Sequence, residues 1–434
     1  MSSLLFNRRF APIVLSSLLF PVTGRVFGDI LTVDNTADQF TLYTDPNTGR
    51  EVKLAGLSGL AAAPGQQGFL WAVTDRGPRV DSPVGAAAVI PDYAPRILLL
   101  QLLQGGTARI VREIPLRRPG GGFLTGLANP CMPSDAVVDL SSNPVSPDPD
   151  GIDPEGIATG PGGTFWICDE YSPSVALVLP NGSVALRLVP QGTLCGGEVV
   201  PTFDILPAVL AKRRANRGLE GIATTPQGTI YAVMQRPLSN PNTAAGDNSR
   251  NIRLLALEPS KMLMGLPGGI RQLLYLCDPV PAVTPAPYRL RDIYASDLEA
   301  VSENVLLVTE RRTDKVFAIQ LNGATDITPF EDASGHLISD PTRTIESLSP
   351  AELAALGIQP VTKTAVLSGL TTLYPYLDKV EGLTISGGNL VLCNDNDFNL
   401  LEAADFSTVP ATLQFQDPPN LPTIITVPVP PLPE

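Results

Sequence analysis

Short apolar runs of four to six residues, bounded by Gly, Pro, Asn and Asp, recur along the whole chain. FLWAV, FWIC, IYAVM, VLLV and NLVLC are examples. Such runs are too short for ordinary helices and end in turn formers, so each reads as a strand. They fall into a repeat: a turn carrying a glutamate, a small-apolar strand, a Gly-rich hairpin, and a second apolar strand ending in polar residues. One copy runs Asp153-Pro154-Glu155-Gly156-Ile157-Ala158, then PGG, then TFWICDEYSP. Another runs Gly218-Leu219-Glu220-Gly221-Ile222-Ala223, then PQG, then TIYAVMQRPL. Ser296-Asp297-Leu298-Glu299-Ala300-Val301 precedes NVLLVTERR and KVFAIQL, and Lys379-Val380-Glu381-Gly382-Leu383-Thr384 precedes SGG and NLVLCNDNDF. A degenerate copy, LSGLA within 56–61, precedes FLWAVTDRGP and has no glutamate.

Radial repetition of strand–hairpin–strand units solves the edge-strand problem that many strands create, so the pattern predicts an all-β propeller. Helix is scarce. Ser349-Pro350 opening a run of helix formers to Ala355 predicts one short helix, and Ile205–Arg214 predicts another. Residues 236–251 read as a long loop. The Pro-rich end contains TIITVPV, which reads either as a ring-closing edge strand or as part of a flexible tail.

Composition refines this picture. In 434 residues there are 38 Gly and 44 Pro, which suits short strands joined by turns. The net charge of −13 argues against a nucleic-acid partner. Arg8 and Arg9 followed by the apolar stretch Phe10–Val22 predict a signal peptide over 1–28 and export to the periplasm or beyond. A propeller domain over 29–428 and a short tail over 429–434 complete the expected organisation, with no transmembrane segment. Of the five cysteines, Cys131 and Cys195 lie in loop-like sequence and form the preferred disulfide pair, while Cys168 and Cys393 read as buried thiols.

The inner strands of a propeller line one channel, so equivalent repeat positions converge. Glu155, Glu220, Glu299 and Glu381 are therefore expected as a carboxylate ring, with Asp169, Glu170, Asp395 and Asp397 on its rim. Crowded carboxylates raise one another's pKa unless a cation lies between them, and an all-oxygen donor set suits calcium. The alternative is that each glutamate caps its own turn. Arg76, Arg217, Arg236 and Arg311 flank the same strand ends and suit two-point gripping of a phosphate or carboxylate, or structural ion pairs between blades. One histidine, His336, in loop-like sequence leaves no basis for a His-based hydrolase or a multi-imidazole metal site.

Taken together, LSGLA…FLWAVTDRGPR, DPEGIA…FWICDEYSP, NRGLEGIATTPQGTIYAVMQ, SDLEAVSENVLLVTERR and KVEGLTISGGNLVLCNDNDF resemble the phytase-like family, described by an esterase-like activity of phytase. LTGLANP at 124–130 resembles a further segment of it. The resemblance implies a six-bladed propeller that hydrolyses phosphate esters. It carries over to Glu155, Asp169, Glu170, Arg217, Glu220, Glu299, Glu310, Glu381, Asn394, Asp395 and Asp397. The expected function is a calcium-dependent phosphoesterase in which a metal-bound water attacks a phosphate ester at the mouth. Glu155, Glu220, Arg217 and Asp169 are the expected catalytic residues. Arg76, Arg236 and Arg311 would hold a small anionic substrate, and Glu155, Glu170, Glu220, Glu299, Glu381, Asp395 and Asp397 would hold the metal. A lactonase-like propeller and a non-catalytic calcium-binding scaffold remain the competing readings.

Overall fold

The computed structural model describes residues 29–432 apart from positions 133, 135, 281–288 and 371–378. The signal peptide expected over 1–28 lies outside the described residues.

Each repeat copy opens one four-stranded antiparallel blade. Blade 1 contains Leu57–Ala62, Phe69–Thr74, Arg96–Leu103 and Thr107–Pro115, in order from the centre outwards. Blade 2 contains Pro154–Thr159, Phe165–Asp169, Ser174–Val178 and Val184–Pro190, with Thr202–Leu206 added in parallel outside. Blade 3 runs Leu219–Thr224, Ile230–Met234, Asn251–Leu257 and Ile270–Leu276, and blade 4 runs Tyr294–Ala300, Val305–Arg311, Lys315–Gln320 and Thr362–Ser368. Blade 5 takes Val380–Ser386, Asn389–Asn394 and Thr423–Pro428 from the end of the chain and Ile30–Asp34 from its start. Ile30–Asp34 pairs antiparallel with Thr423–Pro428 and parallel with the outer strand of blade 1. The ring is thus closed by strands from both ends of the described chain, and TIITVPV is one of them.

The close approach of the inner strands shows how they follow one another. A Cβ on Gly59 would stand 2.7 Å from the Gly156 Cα, and one on Gly156 would stand 2.9 Å from the Ile222 nitrogen. One on Gly221 would lie 2.5 Å from the Ser296 oxygen, and one on Gly382 3.0 Å from the Leu60 nitrogen. Asp297 joins the remaining pair, accepting from the Leu383 N–H at 2.9 Å in blade 5. The circuit therefore closes over five inner strands among the described residues, not the six blades that the resemblance implied. The repeat glycine is where neighbouring backbones come too close for a side chain.

Three smaller sheets sit to one side: Thr41–Thr44 with Glu51–Lys53, Arg79–Ser82 with Gly85–Ala88 and Val137–Val138, and Leu400–Asp405 with Thr412–Phe415. They share a separate apolar core that includes Val52, Val80, Tyr93, Phe398, Leu413 and Phe415. Pro350–Ala355 is helical, with a capping box between Ser349 and Glu352. The helix expected over Ile205–Arg214 is instead the end of a strand and a single turn of 3₁₀ helix, Ala208–Lys212. The expected loop over 236–251 contains one short helix, Thr243–Asp247. Cys131 and Cys195 form a disulfide, and Cys168, Cys277 and Cys393 are buried thiols. Among the described residues no helix is long and apolar enough to cross a membrane.

Candidate functional site

All five inner strands carry a register shift at the same level: at Leu57/Gly59, Pro154/Gly156, Leu219/Gly221, Ala295/Leu298 and Val380/Leu383. A β-bulge re-aims the extra side chain out of the ladder, and bulges repeated around a ring aim them at one place. The residues at the bulge are Ser58, Glu155, Glu220, Ser296-Asp297 and Glu381. Three glutamates therefore converge at one mouth of the ring, where Glu170, at the end of a second strand, joins them.

Ligand oxygens of Asp153, Glu155 and Glu170 all lie within 4.8 Å of one another, and the three residues are buried. Asp153 is the member of this group that sequence reasoning left unassigned, although it opens the DPEG motif. Burial first, and then the charges of Asp153, Glu220, Glu170 and Glu381, push Glu155 well above the usual carboxylate range. Burial and the charges of Glu170 and Glu381 do the same to Glu220. Burial likewise raises Glu381, against the pull of Arg311 and Lys379. Glu170 is pushed up to about 7, chiefly by burial, with Arg217 acting in the opposite direction. The Oε2 atoms of Glu220 and Glu381 are buried and accept no hydrogen bond among the described residues. Each would otherwise leave a charged, desolvated oxygen without compensation.

Arginines surround these acids. Arg76 binds Asp153 at 2.7 Å and lies 3.6 Å from Glu170. Arg217 binds Glu170 at 3.1 Å, and Arg311 pairs with Glu381 while lying 3.6 Å from Glu220. Arg217 and Arg311 both stack on Tyr294, each 5.3 Å from its ring centre. Gln235 donates to the other oxygen of Glu220 at 2.6 Å. A cavity of about 290 Å³ opens above, lined in part by Asp75, Arg76, Arg79, Tyr171, Arg217 and Asp397.

Six expected residues stand outside this group. Glu299 stands three positions beyond the bulge residue Ser296. Its carboxyl faces a separate cavity of about 80 Å³, lined by Ala61, Ala158, Ala223 and Thr224, and it accepts from Thr384 at 3.2 Å. The Leu298-Glu299 pair of that copy imitates the Leu219-Glu220 of blade 3, whereas Ser296-Asp297 holds the equivalent place. Asp169 is fully buried, and its oxygens accept from the Asp153 and Tyr171 N–H groups and the Ser174 hydroxyl, so it fixes a turn. Arg236 is buried against Asp247 at 2.6 Å, where Arg214 and Arg291 also converge. Asp395 is bound by Lys379 at 2.9 Å. Burial opposes ionisation there, but Lys379 holds the carboxyl below its usual range. Asp397 also binds Lys379, at 2.6 Å, and lies on a run of left-handed residues through Asn399, a strained backbone at the edge of the cavity. Glu310 sits away from the mouth, accepting from Tyr275 at 2.6 Å and Lys363 at 3.1 Å.

No curated protein matches the chain. Among solved structures, a periplasmic gluconolactonase from Pseudomonas aeruginosa is 13% identical, with 89% of this chain and 94% of that one covered and a TM-score of 0.34. The PQQ-bound aldose sugar dehydrogenase of Streptomyces coelicolor is 11% identical over 88% and 86% of the two chains, at a TM-score of 0.32. A virginiamycin B lyase from Staphylococcus aureus is 10% identical over 79% and 93%, at 0.31. Likenesses this distant leave the chemistry of those proteins with those proteins. The sequence itself goes further: residues 52–398 match the profile of one family, and the chain belongs to the phytase-like family, described by the esterase-like activity of phytase.

Proposed function

We propose that this chain is an exported hydrolase of ester bonds that works with calcium at the propeller mouth and acts on a phosphate ester. The observation that carries this reading is the set of buried carboxylate oxygens on Glu155, Glu220 and Glu381. They face one another, and the Oε2 atoms of two of them accept no hydrogen bond among the described residues. The donor set is oxygen only and multiply charged, which fits a hard divalent cation and not zinc or copper. Glu155, Glu170, Glu220 and Glu381 would hold the ion. When bound, calcium supplies positive charge and Lewis acidity beside the ester.

The chain's own residues supply the rest. Arg217 and Arg76 are partly exposed and present guanidinium donors beside the acids, suited to an anionic group. Arg311 is more deeply set between Glu220 and Glu381 and holds their orientation.

The test is elemental analysis of the purified protein together with an assay on aryl and alkyl phosphates and gluconolactone, with and without chelator. Bound calcium and chelator-sensitive phosphate release are expected. Activity on the lactone alone would select a lactonase. Calcium without turnover on either class would leave a binding propeller. Export has its own check: the protein isolated from its host should begin at about residues 24–30, after signal cleavage.

A further inference from the structure

The lining of the mouth cavity says what kind of ester fits. One wall is cationic and aromatic: Arg76 and Arg79 lie 5.9 and 5.4 Å from the ring centre of Tyr171, with Arg217 beside them. Another wall is apolar and comes from two satellite strands and the turn before one of them, through Val80, Phe398, Leu400 and Leu401. The first three are buried in the satellite core, whereas Leu401 remains 44% exposed. Asp81, Asp397 and Glu402 also line this cavity. The charges of Asp81 and Glu402 oppose a second or third phosphate, and the arginines are already partly neutralised by Asp153 and Glu170.

We propose that the substrate is a monoester with a single phosphate on an apolar, aromatic or branched body, and that Leu401 is a specificity-determining residue for that body. This rests on the phosphoesterase reading of the same mouth. Size agrees with charge. The cavity of about 290 Å³ has room for one phosphate and one ring. The phosphate end seats on the guanidiniums, and the body covers the Leu401 wall. Burying roughly 55 Å² of apolar surface there, at ~25 cal/mol per Å², gives about a tenfold preference over a ligand with no such body.

Calorimetry on the full calcium-loaded chain tests this with two non-hydrolysable probes, phenylphosphonate and methylphosphonate. Phenylphosphonate should bind about tenfold tighter, equivalent to about 1.4 kcal/mol. Leu401→Ser should remove most of that preference and leave the methylphosphonate Kd within about twofold, whereas Arg79→Gln should weaken both probes. Equal Kd values, no binding of either probe, or tighter binding of tripolyphosphate than of phenylphosphonate would overturn the proposal. The readout is independent of turnover. A preference without hydrolysis sinks the hydrolase reading and keeps the subsite; hydrolysis without a preference does the opposite.

Discussion

Two groups of buried acids in this molecule look alike by burial and differ in their bonding. Around Arg253, which is fully buried, Glu346 accepts from Nε at 2.8 Å and from Asn240 at 3.4 Å. Both oxygens of Glu331 accept from the same guanidinium, one of them also from Gln272 at 3.1 Å. All four carboxylate oxygens are bonded within the protein. At the mouth, Glu220 and Glu381 each keep one buried oxygen without a partner among the described residues, and like charges face one another. Burial and charge therefore do not distinguish a structural acid from a functional one. The unpartnered carboxylate oxygens set the mouth apart, because a buried acid oxygen with no donor carries a cost that an ion, a water or a ligand beside it would offset.

The comparison can be broken most severely at the first group. Arg253→Met leaves Glu331 and Glu346 buried without a counter-charge and should lower unfolding stability in urea by about 3–5 kcal/mol. A loss below about 1 kcal/mol would mean that the network is not structural. At the mouth the sign reverses. Glu155→Gln removes a repelled charge, so the calcium-free protein should gain about 1 kcal/mol in the same experiment, while calcium affinity falls at least tenfold. Loss of stability with unchanged affinity would make Glu155 an ordinary turn residue.

A pH series sharpens the same contrast. Glu155, Glu220 and Glu381 are raised above their unfolded values, so the native state holds more protons than the unfolded chain. Their contribution is fully present below the unfolded pKa of about 4.3 and is lost as pH rises through the folded values. Melting temperature in EDTA should therefore decline from about pH 4.5 towards pH 8, and calcium should flatten the decline. A melting curve independent of pH and calcium would contradict the unsatisfied state of these acids. The smallest effect belongs to Asp397→Asn. Its side chain is 43% exposed and paired with Lys379, so stability should change by less than about 1 kcal/mol and calcium affinity should hold. A tenfold loss of affinity would restore Asp397 as a ligand.

Much of this was legible in the sequence. Each of the copies carrying LSGLA, DPEG, GLEG, SDLEA and KVEG opens one blade among the described residues. The Glu-Gly pairs at Glu155, Glu220 and Glu381 marked the converging bulges because glycine is needed where inner strands touch. Blade 4 misled because its bulge, between Ala295 and Leu298, carries no Glu-Gly pair to mark it. There Asp297 occupies the glycine position, and its carboxylate accepts from Leu60 and Leu383, tying blades 1 and 5 together. The apolar wall of the mouth was invisible for a different reason: its strands come from segments as distant as Arg79–Ser82 and Leu400–Asp405, and their meeting is a property of closure around the ring.

The central claim is that the unpartnered mouth carboxylates form a calcium site. Its most direct test is a calorimetric calcium titration of chelator-stripped protein at pH 7.5, comparing the wild type with Glu220→Gln. The account predicts saturable binding accompanied by proton release, because Glu155 and Glu220 must ionise to hold the ion, and at least tenfold weaker binding by the variant. No binding by the wild type, or equal affinity in the two proteins, would contradict it.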